Sequence, residues 1–296
     1  MKYTLTGGAG NITKPLALAL LKAGHTVTVI GRDAAKLKEL IDAGAIAAIG
    51  SVEDVSFLTN AFRGADAVYT MVPPTYAATD WKAYIGQIGQ NYATAITAAG
   101  VKQVVNLSSV GAHLPDGVGP VSGLHRAEKA LNTLTYVNIL HLRPAYFFQN
   151  LLANIPLVKG MGIIGANFAT AAGKFPIVAT DDIAAVAAEA LLSLDFQGHT
   201  VRYIASDEIG TDQIAQVLGA AIGKPDLAWV KFTDEQALGG MIQAGLPEEV
   251  AKNYAEMNHA IDSGSMYADY FTNKPSLGKI KLADFAKLFA SVYAAG

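Results

Sequence analysis

The chain has 296 residues, 51% of them hydrophobic and 16% charged, with a formal net charge of −3 and no cysteine. That composition buries a large core and argues against a disordered chain, a nucleic-acid partner, disulfides and thiolate chemistry. No apolar run reaches membrane-spanning length and the opening lacks a basic-then-apolar leader, so no membrane partner is expected and a cytoplasmic location is.

The first predicted strand, near residues 2–6, runs into Gly7-Gly8-Ala9-Gly10-Asn11-Ile12-Thr13, then a helix over 14–23 and a strand near 26–30. A glycine turn in that setting cradles the pyrophosphate of a dinucleotide. Gly7 lets the chain turn sharply off the strand, and Gly10 lets the backbone approach the phosphates with no Cβ in the way. The helix directs its free N–H groups and positive dipole end at the anion. Thr13 stands where a third glycine would permit close packing, and is expected to hold the helix slightly off the sheet. Pro15 suits the first turn of that helix and Gly24 its end.

Helical and apolar stretches then alternate: helix 34–42, strand 45–49, helix 54–62, strand 66–72, helix 80–99, strand 103–108, helix 123–134 and strand 137–142. This pattern predicts an α/β fold, a doubly wound parallel Rossmann sheet with ligands at the carboxyl ends of its strands. Beyond residue 150 the pattern loosens. Gly160, Gly162, Gly165 and Gly173 mark an irregular loop with a short strand, and Asp181-Asp182-Ile183 starts a helical run to Leu194. A strand at 200–205, a helix at 211–222 capped by Thr211, a helical appendage at 233–259 and a terminal helix at 281–295 follow. We expect an NAD(P)-binding domain over 1–150 and a smaller α/β substrate or lid domain over 151–296, with segments such as 176–205 packing back onto the first.

The candidate binding residues fall at strand ends. Gly7, Gly10, Asn11 and Ile12 are placed to hold the pyrophosphate. Arg32, with Lys36 one turn on, favours NADP(H) over NAD(H), because a guanidinium holds a 2′-phosphate through charge-assisted hydrogen bonds. Asp33 is read as a helix cap in preference to a ribose ligand; Asp54 is read equally as a cap or a ligand contact. Ser51 and Val52 are expected to line the adenine, and Val72 and Pro73 to pass beside the nicotinamide ribose. Ser108 sits at the mouth of the site, as a substrate contact or a turn cap. His125 and Lys129 lie one turn apart on one helix. A lysine there can orient the nucleotide and a histidine can donate a proton near neutral pH; the alternative is a solvated helix face. The six histidines show no metal-ligand spacing, so no metal is expected.

Five segments in order carry a family resemblance: Thr6 to Ile12, Asn106-Leu107-Ser108-Ser109, His125-x-x-Glu128-Lys129-x-Leu131, Leu142-Arg143-Pro144-Ala145-Tyr146-Phe147-Phe148-Gln149-Asn150, and Asp181-Asp182-Ile183. With them the chain resembles, over essentially its whole length, the NmrA-like family of atypical short-chain dehydrogenase/reductases. The resemblance implies a Rossmann domain with a smaller C-terminal substrate domain. It also implies either NADPH-dependent reduction of a quinone, enone or other small carbonyl compound, or nucleotide binding as a redox sensor with little turnover. It further implies that Leu142 to Phe148, including Tyr146, floor the pocket at the nicotinamide; read from the residues alone, these aromatics are core side chains in preference to a stacking surface.

One departure bears on mechanism. His125 stands where the mainstream short-chain family has the tyrosine of Tyr-x-x-x-Lys, and the literal match from Tyr270 to Lys274 comes too late in the chain. Alcohol dehydrogenation by the usual route is therefore not expected, and a sugar-nucleotide epimerase or dehydratase fits only the turn. The expected partner is a small-molecule substrate, with monomer and homodimer both open.

Overall fold

The computed structural model describes residues 1–295. Its centre is a seven-stranded sheet: β1 (Lys2–Leu5), β2 (Thr26–Gly31), β3 (Ile46–Ile49), β4 (Ala67–Thr70), β5 (Gln103–Leu107), β6 (Asn138–Pro144) and β10 (His199–Ile204). The spatial order is β10-β6-β5-β4-β1-β2-β3 and every neighbouring pair is parallel. The chain reverses its direction of winding between β1 and β4, which opens a crevice at their carboxyl ends.

The inner strands are buried on both faces, so their residues alternate between two apolar layers rather than between core and water. Tyr3, Leu5, Val29, Tyr69, Val105 and Leu142 join the cluster under α1 (Thr13–Lys22) and α7 (Thr180–Ser193). Ile30, Val68, Val104 and Ile139 face the opposite way, against α3 (Val55–Phe62) and α4 (Trp81–Ala99). The Tyr3 hydroxyl donates to the Leu191 carbonyl at 2.8 Å, tying α7 to the first strand. Residues 180–204 thus return to the large sheet, whose seventh strand they supply.

Several boundaries differ from expectation for local reasons. The stretch 34–42 splits into a 3-10 turn, Ala35–Leu37, and a short α2, Lys38–Asp42. Asp33 is a turn cap, accepting from the Ala35 amide at 2.9 Å, and Asp54 caps α3 by accepting from Phe57 at 3.0 Å. α5 (Pro120–Leu131) starts three residues before 123, on a proline at its first position. The glycine-rich stretch holds α6 (Ile155–Met161), β8 (Ile164–Ala166) and β9 (Phe175–Val178). α8 (Thr211–Ala221) is not capped by Thr211: Gly210 takes the cap position, and the Thr211 hydroxyl donates instead to the Thr170 carbonyl.

The remaining elements build a smaller layer beside the carboxyl ends. β7 (Tyr146–Phe147), β9 and β11 (Asp207–Ile209) form one small sheet, and β8 pairs with β12 (Trp229–Lys231). The expected appendage is two helices, α9 (Asp234–Gln243) and α10 (Glu248–Asp262), and is followed by α11 (Ala268–Thr272) and α12 (Leu282–Ala295).

Candidate functional site

A cleft of about 850 Å³ lies over the carboxyl ends of β1 to β4. Gly7, Gly10, Asn11, Ile12, Arg32, Lys36, Ser51, Val52 and Pro73 line it together, joined at the far end by Phe147, Gln149, Asn150 and Thr180. The turn is built as its glycines require. Gly7 has φ +97°, and a Cβ there would sit 2.5 Å from the Thr13 hydroxyl. That hydroxyl donates to the Thr6 carbonyl at 2.9 Å. Thr13 therefore draws the helix onto the end of β1, where a spacing effect was expected. No side-chain cap closes the N-terminus of α1 and no acidic residue occupies its first turn; the Lys14 and Leu16 amides bond to the Gly10 and Ile12 carbonyls, which leaves the Asn11, Ile12 and Thr13 amides to meet an anion.

The second wall carries the charge. Arg32 and Lys36 are exposed at the tip of β2 and neither pairs with a carboxylate among the described residues. Ser51 turns its hydroxyl back to the Glu53 amide at 3.2 Å, while Val52 packs into the core and shows the cleft only its edge. The Tyr84 hydroxyl donates to Glu53 at 3.0 Å, and burial together with that carboxylate raises the phenol to about 12, against the pull of Arg32. Lys14, second in α1, reaches across to Glu39 at 2.6 Å, and both side chains line the cleft.

Several expected residues do not line this cleft. Val72, just past the end of β4, faces away in alternation with Met71 and Pro73, which line the cleft, and packs around Trp81 and Ile88. The same alternation leaves Phe147 in the cleft and sends Tyr146 into an aromatic group, its ring 5.1 Å from Phe175 and 6.2 Å from Phe168. Burial raises the Tyr146 phenol well above its ordinary value. Ser108 is buried, its amide donating to Leu142 at 2.7 Å and its hydroxyl without a partner. His125 donates from Nδ1 to the Ala112 carbonyl at 2.9 Å, which fixes the loop after β5.

Lys129 is exposed, and the rotation of α5 explains why. The helix lies so close to α4 that a Cβ on Gly89 would be 2.4 Å from the Ala127 backbone. The neighbouring Glu128 faces inward, where Arg143 holds it through two bonds of 3.0 and 2.7 Å. One residue further round the helix, Lys129 necessarily points to water.

Arg143, expected on the pocket floor, is consumed in the same way, by Glu128, Tyr203 and Asp269. A second cavity of about 610 Å³ beside β10 borders this network; of its charged lining Arg143 pairs with Asp269, and Arg202 with Glu189 outside it. Tyr270 and Lys274 both reach Glu208, at 2.8 and 2.6 Å, so the late Tyr-x-x-x-Lys match is a structural pair. Sequence reasoning missed Gln149 as a lining residue. Its Nε2 donates to the Thr180 hydroxyl at 2.9 Å and its Oε1 is buried without a partner, an acceptor held ready at the far end of the cleft. Nothing in spacing alone marks that glutamine. Among the described residues no helix is long and apolar enough to cross a membrane, and no cluster of histidine and acidic residues has the makings of a metal site.

The chain belongs to the NmrA-like family, whose profile matches residues 2–284. An NAD(P)H azoreductase of Xenophilus azovorans is 27% identical over 98% of this chain and 99% of its own. An NADPH-dependent quinone oxidoreductase of Escherichia coli, solved in complex with NADPH, superposes with a TM-score of 0.81 at 21% identity, covering 97% of this chain and 99% of the other. A triphenylmethane reductase of Citrobacter sp., solved with NADP(H), gives 0.78 at 21% identity, over 97% and 99%. These three are reductases, and the two neighbours in fold were solved with NADPH or NADP(H) bound.

Proposed function

We propose that this protein is an NADP(H)-dependent oxidoreductase that delivers hydride to a quinone, an enone or another small carbonyl acceptor. The observation that carries the reading is one cleft in which an uncapped helix N-terminus and a glycine turn face two unpaired cations, Arg32 and Lys36. The residues fit the coenzyme. Gly7 and Gly10, where a Cβ would strike the turn's own atoms, let the backbone fold tightly along the cleft wall, and the buried Gln149 Oε1 lacks a donor, which a carboxamide N–H supplies.

In this reading Gly7, Gly10, Asn11 and Ile12 hold the pyrophosphate, Arg32 and Lys36 the 2′-phosphate, and Ser51 and Val52 the adenine. Pro73, Phe147 and Gln149 border the reacting ring. The bound coenzyme supplies a hydride. Residues 151–296, apart from the returning segment 176–205, form the substrate side. The polar side chains at that end, Thr75, Gln149, Asn150 and Thr180, are neutral and not acidic near pH 7. They orient an acceptor and leave its proton to come from solvent, which suits acceptors that need little acid catalysis. Tyr146, Ser108, His125 and Lys129 then act, if at all, from outside the cleft.

The same lack of an acid supports a second reading, a nucleotide-sensing protein with little turnover. Following NADPH oxidation against quinones, enones and azo dyes separates them. Turnover supports the first reading; tight NADPH binding without oxidation of any acceptor favours the second. Failure to bind NADPH or NADH sinks both.

A further inference from the structure

Lys14 and Glu39 stand on opposite walls of the cleft and meet at 2.6 Å. Lys14 follows Thr13 at the start of α1, next to the glycine turn; Glu39 lies three residues after Lys36, hence on the same side of the short helical stretch. The reach to Glu39 carries the Lys14 ammonium away from the glycine turn and towards the wall that bears Arg32 and Lys36. The lysine is the less exposed partner, 37% against 67%, and neither has another ionic partner among the described residues.

We propose, on the footing of the reading above, that this pair is a charge latch that selects coenzymes bearing a 2′-phosphate. In the free cleft Glu39 holds the Lys14 ammonium beside Arg32 and Lys36. An exposed pair of this kind is weak in water, and a phosphate dianion flanked by two cations is a better partner than a lone carboxylate. The ammonium transfers to the 2′-phosphate, which then meets three cations. Glu39 is left free at the start of α2, where the helix dipole favours a negative charge. A nucleotide lacking the phosphate gains nothing from the exchange and leaves the latch closed. Lys14 is then a binding residue, and Glu39 a positioning residue that acts through it.

Calorimetric titration of the full chain with NADPH and NADH tests this. Lys14→Met should weaken NADPH by about tenfold and leave NADH within about twofold, and Lys14→Arg should restore the preference. Glu39→Gln should tighten NADPH several-fold in the native background and have no effect in the Lys14→Met background. Both side chains are exposed, so matching thermal melts confirm that the variants fold. Equal losses for both nucleotides would place the ammonium on the pyrophosphate and overturn the latch, as would no change in either. An effect of Glu39→Gln that persists without Lys14 would mean simple repulsion, and would also overturn it. If the native protein binds neither nucleotide, the underlying reading fails first, before any variant is compared.

Discussion

The hydroxyl of Thr13 donates to the carbonyl of Thr6 at 2.9 Å, joining the first turn of α1 to the end of β1 directly beneath the glycine turn. Both residues are buried, so the bond has no water to replace it. Thr13→Val keeps the shape and leaves a buried carbonyl unsatisfied, at a cost of about 1–3 kcal/mol. Urea unfolding measures it; a neutral result would show that the helix is held by packing alone.

Gly7 bears the other half of that arrangement. An alanine would need φ +97° and would place its Cβ against the Thr13 hydroxyl, so Gly7→Ala should destabilise by about 2–4 kcal/mol. It should also weaken NADPH and NADH alike, because the distorted turn serves the pyrophosphate common to both.

His141 is locked neutral inside the sheet. Asn106 Nδ2 donates to its Nδ1 at 3.1 Å, and its Nε2 donates to Asn132 at 2.9 Å; burial lowers its pKa to about 4. The unfolded chain takes up that proton near pH 6.5 and the folded one does not, so stability falls as pH drops from 6.5 towards 4. The loss reaches about 3 kcal/mol across the window. Denaturation midpoints at pH 7 and pH 5 should differ in the native protein and differ less in His141→Gln.

The Glu128–Arg143 pair is buried, with side-chain exposures of 6% and 10%. Glu128→Ala leaves the guanidinium with Tyr203 and Asp269 alone, and should cost about 1.5–3 kcal/mol, the range for hydrogen bonds to charged groups. Replacing both residues with apolar ones should cost less than the sum of the single changes, as a double-mutant cycle will report.

Lys129 and His125 invite a different expectation from the one their sequence context suggests. Neither lines the cleft, so Lys129→Met should leave kcat/KM for quinone reduction within about twofold. A loss of two orders of magnitude would return Lys129 to the chemistry.

The turn, the β2 tip and the alternation of strands and helices were legible in the sequence because each rests on local chemistry: glycine at positive φ, a cation at a strand end, periodic apolar residues. The rotation of α5 was not, since it follows from Gly89 meeting Ala127 and Glu128 meeting Arg143, contacts between distant segments. A strand near 200–205 within a segment returning to the first domain was expected, but not its place in the large sheet, which depends on β6 offering a free edge. Tyr146 is core, as its residue type suggests, and departs only from the pocket role the resemblance implies; two-residue alternation decides which of two adjacent aromatics faces the cleft, and that register was not readable in advance.

The central claim is that Arg32 and its neighbours make this an NADP(H) site. Calorimetric titration of the native protein and Arg32→Ala with NADPH and NADH tests it most directly. The substitution should weaken NADPH by about 1.5–3 kcal/mol, roughly 10- to 150-fold, and leave NADH nearly unchanged. Equal losses for both nucleotides, or none for NADPH, would contradict it.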